Sequence, residues 1–328
     1  MAIPSPSPAP WYASRPCSGV RDNDPRFLYL SPVPRLPGRD LPATGAGGRA
    51  NARNMNPVAA AVATPVMQRS RGVLRIGVGA PETLADLFQD GALRARLPRP
   101  RPGAGLEAVV INTSGGMTGG DVYDVEVALA AGARATVVGQ ACEKVYRSAG
   151  GDAALDVRLR IGAEASLLWL PQPAILFDGA AFARRLDVEL EPGARLLAVE
   201  GTVLGRSAMG ERVTRCRLRE HWRVRQAGRL AWASAGRLDL PEDPVASAST
   251  LAGGRAFATF LCADAEPDAA LEAFRAVAGR VRGRLGASRL DDLVVATVVA
   301  GTSRHLMEDL AVVIEAVSGT AVPRVWHC

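Results

Sequence analysis

From residue 68 onward, apolar and polar residues alternate in short stretches separated by glycine-rich turns. "RGVLRIGV" (71–78) has the two-residue period of a half-buried strand, and "AVVINTS" (108–114) is a buried strand running into glycines. "PETLADLFQDGALRARLPRP" (81–100) fits either a short helix or a strand. Three later segments share one frame: "VEVALAAGAR" (125–134), "LDVRLRIGAE" (155–164) and "LDVELEPGAR" (186–195). Their glycines, Gly132, Gly162 and Gly193, stand 30 and 31 residues apart. Each frame predicts a strand with one buried face and a Gly-Ala turn into a second strand, "ATVVGQ", "SLLWLPQ" or "LLAVEG". A weaker fourth copy follows in "HWRVRQAGRLAWASAGRLDL". Units that cannot bury an apolar face alone stack on one another, so the pattern predicts β-helix-like layers. Three ordinary hairpins of similar sequence are the alternative.

The period changes near the end. "RAFATFLCA" and "LVVATVVA" read as strands, whereas Leu271, Phe274, Ala278, Val281 and Leu285 share one helical face, with Pro267 in the first turn. Leu306, Leu310, Val313, Ile314 and Val317 mark a second helix, opened by Thr302 or Ser303 and closed by Gly319. The expected fold is mainly β: stacked β-helix-like layers of hairpins with a small C-terminal α/β (β-α-β-α) layer packed against them. The expected division is a β body at about 67–250 and an α/β tail at about 251–328 of one domain.

Composition changes the picture mostly at the front. Residues 1–66 hold 12 of the 23 prolines and no sustained apolar period. They read as a disordered extension, or as the result of a start codon placed too far upstream, with Met67 as the beginning. They also carry seven arginines against three aspartates, most of the net charge of +6, and the remainder is nearly balanced. All basic residues except Lys144 are arginine and look scattered, so nucleic-acid binding is not expected. No apolar run suggests a membrane span and no secretory signal opens the chain, so the protein reads as cytoplasmic. Cys17, Cys142, Cys216, Cys262 and Cys328 are far apart, and the three histidines are His221, His305 and His327. Neither a disulfide framework nor a tight metal site is indicated.

Candidate chemistry begins at "NTSGGMTGGD" (112–121). A phosphate cradle needs a helix after the glycines, but "DVYDVEVAL" alternates like a strand, and GGxxGG is not GxGxxG. Gly115, Gly116, Gly119 and Gly120 therefore read as structural turn residues that allow close backbone approach. There is no GxSxG and no HExxH. A β-helical carbohydrate-active enzyme would need paired carboxylates. Glu126, Asp156 and Asp187 are in register, but their alternation points them to solvent.

"NTSGGMTGGD", "QACEKVYRSAGG", "LLWLPQPAILFDGA", "LLAVEGTVLGRSAMGE" and "VPRVWHC" occur in the order of the signature blocks of the urease accessory protein UreD (UreH) family, which residues 68–328 resemble. The resemblance implies a β-rich scaffold without catalytic residues. It implies binding to apo-urease and to a helical UreF-type partner, and through the complex to a UreG-type GTPase. It further implies nickel in transit through the β body and no tightly bound cofactor. Weak oxygen ligands release nickel where thiolates and imidazoles would trap it, which makes Asp121, Glu143 and Glu200 path candidates. Turn capping, or pairing with Arg147 or Arg206, is the alternative for them, and Lys144 could be a structural pairing residue. Trp169 and Phe177 are either apolar anchors for a partner or core residues. Cys142, His327 and Cys328 are weak nickel-ligand candidates. Two departures stand out: residues 1–66 have no family counterpart, and Gly236 stands where an acidic residue is expected in many relatives.

Overall fold

The computed structural model describes residues 68–99, 105–206, 209–241, 245–248 and 250–327. The expectations for residues 1–66, Met67 and Cys328 lie outside them. Two sheets face each other. The first runs β14-β13-β11-β8-β5-β1-β2. In chain order its strands are β1 (Arg71–Gly79), β2 (Thr83–Gly91), β5 (Val122–Leu129), β8 (Ala153–Ile161), β11 (Ala180–Leu190), β13 (Cys216–Gln226) and β14 (Arg229–Leu240). The second follows β16-β17-β15-β12-β9-β6-β4-β3. Its strands are β3 (Leu93–Arg96), β4 (Leu106–Asn112), β6 (Arg134–Gly139), β9 (Ser166–Leu170), β12 (Arg195–Leu204), β15 (Ala256–Ala263), β16 (Arg284–Leu290) and β17 (Leu293–Ala300). Two short strands, β7 (Glu143–Val145) and β10 (Ala174–Leu176), pair beside β12.

The three repeat units stack as expected. Their first strands β5, β8 and β11 pair in parallel in one sheet, and their second strands β6, β9 and β12 pair in parallel in the other. Each Gly-Ala turn is thus a corner between sheets. The corners hydrogen-bond to one another, with the Gly132 amide donating to Ala163 O (2.8 Å) and the Glu164 amide to Pro192 O (3.2 Å). A parallel pair cannot close through a two-residue loop, so every coil must cross to the facing sheet before returning. The ambiguous segment 81–100 forms β2 and β3.

Parallel stacking puts outward side chains of neighbouring strands in rows, and one of these rows alternates in charge along its length. Arg75, Glu126, Arg158, Asp187 and Arg223 lie side by side across five strands. Glu126 pairs with Arg160, Asp156 with Arg185 (3.6 Å) and Asp187 with Arg223 (2.7 Å). Of the three carboxylates expected in register, Glu126 and Asp187 share a row through Arg158, whereas Asp156 lies in the adjacent row between Asp124 and Arg185. All three belong to a surface charge ladder, each paired with an arginine, and do not face each other as an acid–base pair would.

In the tail, β15, β16 and β17 extend the second sheet, and helices α1 (Pro267–Val277) and α2 (Ser303–Ser318) cover its outer face. The first helix is shorter than its apolar period predicts. It ends at Val277, and Leu285 belongs to the β16–β17 hairpin, giving β-α-β-β-α. Val281 and Leu285 still pack on the same core, so their spacing matched a helix face by coincidence of partner. Thr302 caps α2 by accepting the His305 amide (3.1 Å), and Gly319 closes it.

Candidate functional site

Most inward-facing strand positions among the described residues are apolar, and charged side chains gather at one level. There, Arg184 of β11, Glu220 of β13 and Glu200 of β12 break the period. Arg184 is in register with Glu220 on the neighbouring strand, and Glu200 faces it from the other sheet. Arg184 Nη1 lies 2.6 Å from Glu200 Oε2, with side-chain exposures of 4% and 3%. Its Nη2 donates to Glu220 and to Thr202 Oγ1 (3.3 Å). The indole N–H of Trp169 donates to Glu200 Oε1 (2.9 Å). Two carboxyl groups thus share one guanidinium. Burial raises the Glu200 carboxyl above the usual range, opposed by Arg184 and the indole and reinforced by Glu220. Arg184 Nε is buried with no hydrogen-bond partner.

Arg184, Glu200 and Trp169 of this cluster form the inner end of a cavity of about 190 Å³ between the sheets, also lined by Tyr123, Phe182 and Gln172. Its other end reaches exposed residues Gly115, Gln140, Ala141 and Lys144. Glu143 lines the cavity between these ends. Asn112 Nδ2 donates to Glu143 Oε1 (2.9 Å), and Tyr123 donates to Asn112 Oδ1 (3.1 Å). Burial raises the Glu143 carboxyl, while hydrogen bonds from Asn112 and the Lys144 amide and the Lys144 charge hold it back. Cys142 also lines the cavity; its thiol faces Gln172 Oε1 (3.7 Å) and is raised by burial and by the Glu143 charge, against a backbone hydrogen bond. A thiol kept protonated is a poor ligand for a passing cation.

The structure brings Glu143 and Glu200 to one cavity but does not put Asp121 there. Both Asp121 carboxylate oxygens accept backbone amides, from Ser70 (2.7 Å) and Thr118 (2.8 Å), which pins the glycine loop to β1. Of the alternatives for these acids, Asp121 shows the capping one, and pairing with Arg147 or Arg206 is not what holds them: Arg147 pairs with Asp178 and Arg206 with Glu211. Trp169 is 4% exposed and lines the cavity. Phe177 is half-buried, edge-on to Tyr146 at 4.9 Å and beneath the Arg206 guanidinium at 4.2 Å. His327 is exposed in a terminal 3-10 turn, Arg324–His327. Gly236 is in register with Glu220, and a Cβ there would make only ordinary contact. Among the described residues, no three His, Cys, Asp or Glu side chains form a metal-holding group. Arg184 and Glu220 escaped sequence reading, although charges in the inward frame of "FARRL" and "LREHW" were the available signal.

The glycines position the rim. Gly116 has φ +145°, and a Cβ there would lie 2.4 Å from the Tyr146 ring and 2.8 Å from Lys144 O. A Cβ on Gly119 would lie 2.0 Å from Ser148 Oγ. The "KVYRS" segment can therefore approach only bare backbone. Gly116→Ala is expected to destabilise the fold by about 1–3 kcal/mol through backbone strain and a displaced rim, measured by thermal denaturation. An unchanged melting curve would contradict this.

The family model for the UreD urease accessory protein matches residues 70–327. A urease accessory protein UreD from Chelativorans sp. (strain BNC1) is 41% identical over 264 residues, covering 79% of this chain and 95% of that protein. One from Rhizobium leguminosarum bv. trifolii (strain WSM2304) is 41% identical over 273 residues, 82% of this chain and 99% of its own length. Urease accessory protein UreD 1 of Brucella melitensis biotype 1 is 43% identical over 250 residues, 74% of this chain and 88% of that protein.

Proposed function

The chain belongs to the UreD family of urease accessory proteins, and on that premise we propose that it is a non-catalytic urease maturation factor of the cytoplasm. It binds apo-urease and a helical UreF-type partner, engages a UreG-type GTPase through the complex, and passes nickel toward urease without keeping it. The observation that carries this reading is the cavity with Glu143 toward its rim and Glu200 at its buried end. Carboxylates hold a borderline divalent cation loosely, and two of them line this cavity. Asp121 serves this path by shaping the loop beside the rim. No helix among the described residues is long and apolar enough to cross a membrane.

The test is Glu143→Gln with Glu200→Gln in the urease-producing host. Glutamine keeps an oxygen to accept from Asn112 and Trp169 but removes the charge. The accessory complex is expected to co-purify at normal yield while urease nickel content and activity fall. Full nickel loading by the double variant would refute the carboxylate path. Loss of co-purification would move the role of these residues to assembly.

A further inference from the structure

The outward face of β13 is basic at every position: Arg217, Arg219, His221, Arg223 and Arg225 alternate with inward residues along one strand. Elsewhere on this sheet most charged outward neighbours are opposite in sign, as in the row Arg75, Glu126, Arg158, Asp187 and Arg223, with Asp124 opposite Asp156 an exception. Here Arg219 instead lies directly opposite Arg237 of β14, a like-charge pair that costs stability. Asp152 serves both Arg217 and Arg219, Asp187 serves Arg223 and Asp239 serves Arg237. Arg225 and the neighbouring Arg215 have no ion-pair partner among the described residues. The stripe therefore keeps excess positive charge.

Its neighbours are short at four positions, while Arg185, Asp187 and Glu189 of β11 and Arg237 and Asp239 of β14 flank it at others. Ala181 and Ala183 flank it on β11, and Ala233 and Ala235 on β14. Ala181 borders an open groove of about 710 Å³, walled by the "RSAGG" loop (147–151) and Arg215, and Ala233 and Ala235 border another of about 500 Å³. Successive outward residues of a strand are about 6.6 Å apart, the spacing of alternate side chains in an extended peptide. No exposed aromatic ring stands on the stripe to stack a base, since Trp222 faces inward at 4% exposure. A second copy presenting the same face would meet like charge.

We propose that the β13 stripe and its flanking grooves dock an extended, acidic polypeptide segment of another protein, with its alternate carboxylates on the Arg215–Arg225 side chains. The inference rests on the charge pattern of this face and is independent of the maturation reading and of the cavity. The full chain is titrated by fluorescence anisotropy with a labelled nine-residue peptide carrying glutamate at alternate positions. The controls are its glutamine counterpart and a single-stranded oligonucleotide. Saturable binding of the glutamate peptide is expected, weakening as salt rises and falling at least about tenfold in Arg215→Glu/Arg225→Glu. Neither arginine holds an ion pair among the described residues, so that variant should fold, which its melting curve verifies. Arg280→Glu/Arg304→Glu, with the same charge change on the helical side, should bind as the unmodified chain does. No binding, equal binding of the glutamine peptide, equal loss in both variants, or tighter binding of the oligonucleotide would each overturn the proposal.

Discussion

Arg184→Met is expected to remove about 3–5 kcal/mol of folding stability, because it leaves two buried carboxylates without their shared counter-charge. Glu200 and Glu220 lie on facing and neighbouring strands, and only the guanidinium separates their charges. The loss should be pH-dependent. With Arg184 gone, burial and the neighbouring Glu220 charge hold the folded-state Glu200 carboxyl above its unfolded value. The penalty is then fully present above the raised folded value and fades as pH falls below the unfolded one. Denaturant unfolding at neutral and mildly acidic pH measures both effects. Adding Glu200→Gln and Glu220→Gln to Arg184→Met should recover much of the stability, since a neutral cluster has no charge to compensate. A single variant as stable as the unmodified chain at neutral pH would show that the three groups do not act together.

Trp169→Ala is expected to cost about 3–5 kcal/mol, the range for emptying a large aromatic site in a core. The indole fills the cavity wall and gives Glu200 one of its hydrogen bonds, so alanine removes both packing and a donor. Trp169→Phe keeps most of the volume and loses the donor, and should fall between. The comparison separates a wall residue from a partner anchor. An anchor on the surface would leave unfolding unchanged on substitution and weaken partner binding alone. Phe177, half-buried beside Tyr146 and Arg206, is the better placed of the two for a surface role.

Local pattern determined a good deal. The repeated frame at 125–195 dictated strands, corners and stacking, because a two-residue period and a Gly-Ala break are imposed by backbone geometry near each residue. The cap of α2 and the rejection of a phosphate cradle at 112–121 followed from equally short-range chemistry. The end of α1 did not, because Val281 and Leu285 satisfy a helical period and a strand packed on the same core equally well. Tertiary structure decided which sheet each second strand enters, since that depends on how coils close and not on any residue in the turn. It decided the fate of the acids too. Asp121, Glu143 and Glu200 look alike in sequence, yet two face a shared cavity and one is consumed by the amides of Ser70 and Thr118. The same holds for the arginines. They look scattered along the chain, but parallel stacking in register gathers some into a neutral ladder and leaves β13 as a basic stripe. Charge acts through space, and only the fold sets which charges are neighbours.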